Sequence, residues 1–453
     1  MLTYELKKAP GIPLYEALYR AIREDILSGK LRSGEKLPSK RALAENLEVS
    51  KITVETAYAQ LLSEGYITSQ EKVGFFVEAV EPPLRELPRI QPPVVQKNPS
   101  CLDLTANGPA HFPFSVWSRL QREVTLDYGE KLLLPLHNQG CRALRAAIAA
   151  HLAGFRGMAV DPENIVIGAG TDFLYNLLIQ LLGRDKIYGL EEPGYGKIRQ
   201  IYTAGGVRSI IIPMDNPGVL PQALGQTQVL HISPSHHFPT GRVMPMKRRQ
   251  ELIAWAESTD SWIIEDDYDS EFRFHAHPMP SMQSLCATGR VIYMNTFSKT
   301  LAPSIRVSYM VLPPRLMQAF REQLGFYGCT VSSFEQYTLA RFLEQGCFEK
   351  HINRMRKFYK ARRNRVVAAL ENCPCAHLFT IEEADAGLHF LLRVQTGLSD
   401  EALVQKWADA GIQVRTLGSY YAGPVPESAE GCLVVNYSGL EEQELNRLSN
   451  LHL

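Results

Sequence analysis

Lys299 is the residue whose neighbours first indicate chemistry, in the stretch YMNTFSKTLAPSIRVSYM. The hydroxyl residues Thr296 and Ser298 precede it, and Arg306 follows seven positions later. A lysine amine is protonated at neutral pH, and it becomes a nucleophile when its surroundings lower its pKa. An arginine can bind a phosphate through two hydrogen bonds, to which hydroxyl groups can add more. The stretch favours a pocket for a phosphorylated carbonyl compound, although a lone lysine after a strand is usually solvated.

An acid and a phenol follow an apolar run in SWIIEDDYDSEF, a run typical of a buried strand. Ligands of parallel sheets gather at the carboxyl ends of the strands, and Asp266 and Tyr268 would lie at such an end. Asp266 can keep a heterocyclic nitrogen protonated, while Tyr268 can form a hydrogen bond with an oxygen on the same ring. Taken alone, the two residues also fit a solvated acidic loop.

Two further turns can bind the rest of such a ligand. In VIGAGTDFLYNLL a predicted strand turns into a helix at Gly170, Thr171 and Asp172, and the free N–H groups of a helix N-terminus bind anions. In EEPGY, Tyr195 follows another strand end, where its ring can stack on a planar ligand. A plain tight turn and a core tyrosine are the alternatives. With the lysine, the acid and the arginine, these turns predict a site for a flat phosphorylated aldehyde, and pyridoxal phosphate meets that description.

The elements that would position these residues fall into three regions of the 453-residue chain. Residues 1–79 alternate short helical patterns and end in two β-rich runs. Residues 80–101 are rich in proline, which is typical of an extended, semi-rigid linker. Residues 102–453 alternate apolar strand-like runs with amphipathic stretches, and KTLAP after the strand RVIYMNTF is predicted to be helical. Such alternation predicts an α/β domain with a mostly parallel sheet wrapped by helices.

The N-terminal region has the spacing of a winged helix-turn-helix, which is a small α+β fold. Apolar spacing and capping residues predict three helices, over 13–30, 40–47 and 51–64. Ser39 can cap the second helix and Ser50 the third, and the third helix would enter the major groove of DNA. Two short strands around Lys72–Gly74 would form the wing.

Composition narrows the classes of function. The net charge of the chain is zero, so DNA binding depends on a local patch of charge rather than on the whole surface. Residues 1–79 contain equal numbers of acidic and basic residues, and a protein-interaction domain is the alternative there. The eight cysteines lack CxxC spacing, so we expect no metal site. No apolar run is long enough to span a bilayer, and we expect a cytoplasmic protein.

Two resemblances add to these inferences. LPSKR and VSKITV match the pattern of the GntR-type winged helix, which residues 1–79 resemble over nearly their full length. EEPGY, SPSHHFPTG, IIEDDYDSEFRF and TFSKTLAPSIR resemble segments of the fold-type I aminotransferases, which are pyridoxal-phosphate-dependent transferases. With HINRMRKFYKARRNRV, the similarity covers essentially the whole chain, which resembles the MocR/GabR-type regulators.

The resemblance implies roles for particular residues. Lys299 would form the internal aldimine with pyridoxal phosphate, Asp266 would pair with the ring nitrogen and Tyr268 with the ring hydroxyl. Tyr195 would stack on the ring. The phosphate end of the cofactor site would comprise Gly170, Thr171, Asp172, Thr296, Ser298 and Arg306. The residues expected to approach DNA are Ser39, Lys40, Arg41, Ser50, Lys51, Thr53, Lys72 and Gly74.

The departures from the aminotransferase pattern are Phe238, Ser308 and a missing arginine. Phe238 stands where an asparagine commonly precedes Pro-Thr-Gly, and Ser308 stands where the family usually has glycine. The late stretch CLVVNYSGL lacks the arginine that often holds a substrate carboxylate. The candidates to bind an effector in its place are Arg415, Lys197 and Arg199.

The expected function is that of a homodimeric, pyridoxal-phosphate-dependent transcriptional regulator. It would bind operator DNA and respond to pyridoxal phosphate itself, or to an amine or amino-acid effector, through aldimine exchange at Lys299. The altered substrate end favours retention of the cofactor over efficient turnover. The alternative is an active aminotransferase that carries a tethered DNA-binding domain.

Overall fold

The chain divides into two units, Met1–Lys97 and Asn98–Leu453. The structure is a computed structural model, and it describes residues 4, 13–80, 102–105, 111–274, 279–440 and 444–451. The linker predicted over 80–101 lies outside the described residues except for residue 80. The domain boundaries at residues 79 and 101 stay predictions.

Among its described residues, the smaller unit has three helices and a two-stranded antiparallel sheet. The helices are α1 (Leu14–Leu27), α2 (Lys40–Asn46) and α3 (Lys51–Ser63), and the strands are β1 (Ile67–Gln70) and β2 (Gly74–Val77). The Ser39 hydroxyl accepts a hydrogen bond from Ala42 N at 3.2 Å, and the Ser50 hydroxyl accepts one from Thr53 N at 3.1 Å. Both caps satisfy N–H groups that a helix start leaves free, so α2 and α3 begin where the sequence predicted.

The core of the smaller unit follows from the apolar spacing on α1. Leu18, Ile22 and Ile26 are buried, and they share one cluster with Val54 and Leu61 of α3. Complete burial of an aliphatic side chain contributes roughly 1.5–3 kcal/mol. This apolar cluster therefore holds the helices together. Most of their charged residues remain at the surface, whereas Asp25 of α1 is buried.

The larger unit alternates strands and helices along the chain. Its strands are β3 (Leu102–Asp103), β4 (Ile165–Gly168), β5 (Ile187–Glu192), β6 (Arg208–Asp215), β7 (Gly218–Val219), β8 (Val229–Ile232), β9 (Trp262–Asp266), β10 (Val291–Thr296), β11 (Ser308–Val311), β12 (Phe379–Glu382), β13 (His389–Val394), β14 (Ile412–Gln413) and β15 (Cys432–Asn436). Its helices are α4 (Phe114–Tyr128), α5 (Arg142–Arg156), α6 (Thr171–Leu182), α7 (Gly196–Ala204), α8 (Met246–Ser258), α9 (Met282–Leu285), α10 (Pro314–Leu324), α11 (Ser333–Glu344), α12 (Cys347–Glu371), α13 (Asp400–Asp409) and α14 (Leu445–Ser449).

The main sheet has the strand order β4-β11-β10-β9-β8-β5-β6-β7. The neighbours from β10 to β6 in this order pair in parallel, whereas β11 is antiparallel to both of its neighbours and the short β7 is antiparallel to β6. Because β4 and β10 are both antiparallel to β11, they point the same way. The carboxyl ends of β4, β10, β9, β8 and β5 therefore lie at one edge of the sheet.

Helices cover both faces of this sheet, since alternate strand residues point to opposite sides. Ile165 and Ile167 of β4 pack with α5 and α11, whereas Val166 between them packs with α6 and α10. A second core includes α12, α13 and the antiparallel sheet β12-β13-β15. The predicted mostly parallel sheet wrapped by helices is confirmed. Within the described ranges, no helix is both long enough and apolar enough to cross a membrane.

The predicted helix at KTLAP is wrong. After β10, residues 297–301 form a turn in which Leu301 N donates a hydrogen bond to Phe297 O at 2.9 Å. Pro303 lies two residues after Leu301, and a proline has no N–H and clashes with the carbonyl four residues before it. The turn therefore cannot continue as a helix, and Lys299 lies in a tight turn at a strand end.

Candidate functional site

The predicted cofactor residues come from neighbouring strand ends. Asp266 is the last residue of β9, Thr296 is the last residue of β10, and Lys299 lies in the turn that follows β10. Gly170 caps α6 and Thr171 begins it, directly after β4. Since these strands end at one edge of the sheet, the fold brings the five residues to that edge.

Asp266 is buried in a network that engages one of its two oxygens. Its Oδ2 accepts a hydrogen bond from the Tyr175 hydroxyl, and His231 Nε2 lies 3.4 Å from the same oxygen. The other ring nitrogen of His231 lies 2.7 Å from the hydroxyl of Tyr202. Asp266 Oδ1 is buried and has no hydrogen-bond partner among the described residues. The carboxylate is thus held firmly while one oxygen can still accept an N–H donor.

The Lys299 amine has an altered acidity. Burial lowers the pKa of Lys299, and the carboxylate of Asp269 acts in the opposite direction. Asp269 Oδ2 lies 2.8 Å from His236 Nδ1, within hydrogen-bond distance of this buried histidine. A lowered pKa leaves more of the lysine unprotonated at neutral pH, which is the form that attacks a carbonyl.

The predicted phosphate end is closely packed around Gly170. This residue has φ 94°, and a Cβ there would overlap the guanidinium of Arg306. Arg306 Nη2 lies 3.3 Å from Asp172 Oδ2, and the same oxygen lies 2.7 Å from Lys197 Nζ. Asp172 therefore joins an arginine predicted to bind phosphate to a lysine predicted to bind an effector.

The two hydroxyls predicted to join this anion site have partners in the local backbone. Ser298 Oγ donates to Ile305 O at 2.8 Å, and Ser298 N donates to Thr296 Oγ1 at 3.2 Å. Ser308, which replaces the glycine usual in the family, donates its hydroxyl to Thr296 Oγ1 at 2.8 Å. In this arrangement the Ser298 hydroxyl hydrogen fixes the turn.

The aromatic residues of the site have different surroundings. The Tyr268 hydroxyl lies 3.4 Å from His236 Nδ1, and burial with nearby acids raises the pKa of Tyr268. Tyr195 is 51% exposed at the start of α7 and meets Phe238 edge-on, with 5.8 Å between ring centroids. Phe238 also meets the ring of Tyr420 at 5.2 Å. The residue that replaces the usual asparagine thus belongs to an aromatic wall beside an exposed tyrosine.

The three basic residues predicted to bind an effector are all exposed. Lys197 and Arg199 lie on α7, where Lys197 is paired with Asp172, and Arg415 follows β14. Arg415 forms a hydrogen bond with Tyr420 that opposes the rise in the tyrosine's pKa caused by burial. The structure brings Arg415 to the aromatic wall and Lys197 to the phosphate end, and it does not bury any of the three.

On the smaller unit, the predicted DNA-binding cations lie on the starts of α2 and α3. Arg41 and Lys51 are exposed, and each forms an ion pair with the glutamate four residues later, at 3.0 and 3.3 Å. Lys40 lies over the ring of Phe75, 5.2 Å from its centroid. That contact ties the start of α2 to the strand of the wing. The hydroxyls of the cap Ser50 and of Thr53 lie 2.8 Å apart.

The tip of the wing is built from a left-handed turn. Lys72 has φ 61°, and Gly74 has φ 135° with a Cβ position only 3.1 Å from Lys36 Cε. Two apolar side chains are exposed beside these cations: Ile52 on α3 is 72% exposed, and Val73 in the wing is 50% exposed. Sequence reasoning missed both, because it looked for charges and hydroxyls only.

Comparison with known proteins gives the same two parts. The family "Bacterial regulatory proteins, gntR family" matches residues 14–77, and "Aminotransferase class I and II" matches residues 99–450. The chain is 38% identical to the HTH-type transcriptional regulator YhdI of Bacillus subtilis, over 98% of this chain and 96% of that protein. It is 32% identical to the probable rhizopine catabolism regulatory protein MocR of Rhizobium meliloti, over 97% and 93%. The chain belongs to the MocR/GabR-type transcriptional regulators.

Other similarities of this MocR/GabR-type regulator extend over most of its length. It is 32% identical to the HTH-type pyridoxine biosynthesis transcriptional regulator PdxR of Corynebacterium glutamicum, over 94% of this chain and 92% of that protein. The structure of kynurenine aminotransferase from Pyrococcus horikoshii matches with a TM-score of 0.69 and 24% identity, over 78% of this chain and 90% of that chain. The structural match shows the fold of the larger unit, a pyridoxal-phosphate-dependent aminotransferase fold, as predicted.

Several buried residues of this regulator's pocket were missed in the sequence. Tyr175 and His231 contact Asp266, and Glu191 Oε2 lies 3.6 Å from His237 Nε2. Burial raises the pKa of Glu191 to about 8 and lowers that of His237 to about 3, so both are neutral near pH 7. A polar residue inside an apolar strand pattern, as in VLHIS and GLEEP, was the available signal.

Proposed function

We propose that this regulator binds pyridoxal phosphate in the larger unit, acts in the cytoplasm and senses a small amine or amino acid there. The observation that carries the proposal is the state of Asp266. One buried oxygen of its carboxylate accepts hydrogen bonds, while the other has no partner among the described residues. A buried acceptor without a donor costs free energy, and a protonated ring nitrogen is a donor that would satisfy it.

The other positions fit the same ligand. Gly170 leaves room for Arg306 against the N-terminus of α6, where N–H groups and the helix dipole favour a phosphate. When bound, pyridoxal phosphate supplies an aldehyde conjugated to an electron-accepting ring. Lys299 would present its amine to that aldehyde, and the ring of Tyr195 would cover the face of the cofactor. Asp266 would hold the proton on the ring nitrogen.

Asp172 supports reversible loading of the phosphate end. Its carboxylate already pairs with Arg306 and Lys197, so an incoming phosphate must compete with it for the arginine. A phosphate that binds Arg306 leaves Asp172 paired with Lys197 alone, and the carboxylate of an effector would compete with Asp172 for that lysine. This competition suits a protein that responds to the supply of its cofactor as well as to an amine.

The names of the relatives favour an effector of this kind. One relative is named for pyridoxine biosynthesis and another for rhizopine catabolism, so both of these relatives are named for the metabolism of a small molecule. An effector shifts regulation only through different affinity for two arrangements of the protein. We propose that occupation of the pocket changes how the winged helices are presented to operator DNA.

The decisive experiment titrates the purified, cofactor-loaded protein with candidate amines and amino acids while its absorbance is followed. We expect a saturable spectral shift with the effector, bleaching by borohydride, and no amino-group transfer to 2-oxo acids. Protein without bound cofactor after reconstitution would contradict the cofactor assignment. Sustained transfer to a 2-oxo acid would instead favour the active aminotransferase with a tethered DNA-binding domain.

DNA contact by the smaller unit is tested separately. The double variant Arg41→Ala/Lys51→Ala removes two exposed cations from the starts of α2 and α3, so we expect loss of operator binding with the cofactor absorbance kept. Arg20→Ala is the matched control, because Arg20 is exposed on α1 and pairs with Glu16 in the same i,i+4 way. Operator affinity of the double variant equal to that of the control would contradict the assignment.

We also propose that the larger unit forms a homodimer. Large apolar side chains are exposed on and after α4 and in the turn after α10, namely Phe114, Leu126, Leu133, Leu134 and Phe326. Large apolar side chains left exposed in this number favour an association surface on this unit. Sedimentation of the wild type is expected to give a dimer, and Leu126→Glu/Leu133→Glu is expected to shift it toward monomer while Leu285→Glu leaves it unchanged.

A further inference from the structure

Helix α12 concentrates positive charge in a chain whose net charge is zero. Its 25 residues include eight lysines and arginines and only two glutamates. The helix contains the whole stretch HINRMRKFYKARRNRV, which neither the pocket nor the winged helix uses. Some of these cations stabilise the fold, and others are left at the surface.

Three arginines of α12 are held by the larger unit itself. Arg356 Nε donates to Glu271 O, Arg362 Nη1 donates to Ser438 O at 2.6 Å, and Arg363 Nη1 donates to Ala384 O at 2.8 Å. These contacts join α12 to the loops around it. Their role is structural, and they are not available to a partner.

The remaining cations include a stripe along the outer face of α12. Lys350, Arg354 and Lys357 are exposed, and Lys360 is partly exposed. Spacings of four, three and three residues place them on one side of a helix. Ten residues of helix span about 15 Å. The stripe is therefore a straight row of positive charge about as long as three turns of helix.

This row lacks the acids that accompany exposed cations elsewhere. Arg20, Arg41, Lys51 and Arg119 each pair with a glutamate four residues along the same helix. In the part of the chain that the structure describes, Lys350, Lys357 and Lys360 have no carboxylate within ion-pair distance, and Arg354 contacts only the ring of His351, at 3.2 Å. Like charges at these spacings repel one another, which disfavours the helix. An anionic partner would remove that repulsion.

We propose that the stripe Lys350–Arg354–Lys357–Lys360 is a second DNA-binding surface, which contacts the phosphate backbone without reading sequence. Duplex DNA carries one negative charge per roughly 1.7 Å of its axis when both strands are counted, so a length of duplex equal to the stripe holds about nine phosphates, of which one side faces the stripe. No acid interrupts the row, and lysine and arginine neutralise phosphates with little demand on geometry. The inference rests on the proposed DNA-binding function and adds a surface on the larger unit to it.

The test uses the full-length, cofactor-loaded protein and a duplex of about 60 base pairs of random sequence. Binding is measured between about 50 and 200 mM KCl in the Arg41→Ala/Lys51→Ala background, which weakens the winged helix. We expect residual binding in that background. Adding Lys350→Gln/Arg354→Gln/Lys357→Gln should remove most of it and lower the slope of log K against log salt by about 2.7, or about 0.9 for each lost contact.

A matched control carries the same loss of charge elsewhere. Arg208→Gln/Lys247→Gln/Lys406→Gln removes three exposed cations from β6, α8 and α13, and it should keep the residual binding and its slope. Retained cofactor absorbance in both triple variants shows that the larger unit is folded.

Three results would overturn the proposal. The first is no residual DNA binding in the Arg41→Ala/Lys51→Ala background with the stripe intact, and the second is equal residual binding in the stripe and control variants. The third is a stripe variant that keeps its DNA affinity but loses self-association or binding to phosphatidylglycerol vesicles. If Arg41→Ala/Lys51→Ala binds operator DNA as the wild type does, the winged-helix assignment fails. The stripe and control variants still decide this inference in that case.

Discussion

Asp266 and Arg415 are both predicted to bind a small molecule, the first the cofactor and the second an effector. Their surroundings nevertheless differ in nearly every respect. Asp266 is 5% exposed and has one oxygen fixed by a tyrosine and a histidine. Arg415 is exposed, and its hydrogen bond goes to Tyr420 at the edge of an aromatic wall. Lys299 is half-buried, and burial lowers its pKa, whereas Lys197 and Arg199 are exposed as Arg415 is.

The difference shows which end of the pocket is specified by the fold. A hydrogen bond to a buried charged group contributes about 1.5–3 kcal/mol, whereas an exposed ion pair contributes about 0–1 kcal/mol. The buried end can therefore select one ligand strongly, and the exposed end can discriminate only weakly. A regulator with a fixed cofactor and a loosely defined effector end fits this division better than an enzyme that must hold its substrate carboxylate.

The strongest test of the comparison is Lys299→Ala. We expect complete loss of the borohydride-sensitive absorbance, because no other amine lies in that turn. Lys197→Ala is the matched control: it removes an exposed lysine at the other end of the pocket and should keep the absorbance. Full absorbance in Lys299→Ala would mean that the cofactor is held by a different amine.

Asp266→Asn should have the next largest effect. The substitution keeps the shape of the side chain but removes the charge that favours a protonated ring nitrogen. We expect cofactor affinity to fall by roughly 10- to 150-fold, as for a lost hydrogen bond to a charged group, with a shifted absorbance band. Asp172→Asn removes a carboxylate that competes for Arg306, so it should bind the cofactor as well as the wild type or more tightly. Equal losses in the two variants would contradict the comparison.

The buried end was partly predictable because its chemistry follows strand ends. The sequence predicted that Asp266, Lys299 and Gly170 follow apolar strands, and all of them lie at the edge where those strands finish. Tyr175 was not predictable as a partner of Asp266, since it lies inside the apolar pattern of α6 and reaches the acid only through the packing of that helix on the sheet. The helix predicted at KTLAP failed because Pro303 outweighed the local propensity.

On the smaller unit the caps Ser39 and Ser50 fixed the helix starts, since a capping hydroxyl acts within three residues of the chain. The stripe on α12 was visible as a run of charge, but the sequence could not tell which cations the fold would use. Arg356 and Lys357 are adjacent in sequence, and one is bound to the backbone while the other is exposed. Such distinctions depend on tertiary contacts.

The pH dependence of the stability of the larger unit gives an independent test of the buried end of the pocket, through the carboxyl group of Glu191. Burial raises the pKa of Glu191 to about 8, while an unfolded chain ionises it near 4.5. Between these values the folded state binds more protons than the unfolded state, so stability falls as pH rises through the window.

Glu191→Gln should flatten the decline of the apparent Tm of the larger unit from about pH 5 to 8. Glu192→Gln, whose carboxylate accepts N–H donors of Ala422 and Gly423, should keep the wild-type slope. Parallel slopes in the wild type and Glu191→Gln would place the titration elsewhere.

The smallest expected effect belongs to Arg415→Gln. An exposed cation contributes about 0–1 kcal/mol to binding a carboxylate, so effector affinity should fall by no more than about fivefold. The cofactor absorbance should not change, and Arg199→Gln should behave in the same way in the same titration. A loss of roughly a hundredfold in Arg415→Gln alone would correspond to the burial of a charged hydrogen bond. In that case effector binding must draw Arg415 and its aromatic wall over the ligand, and the end that is open here would be as closely specified as the end that holds Asp266.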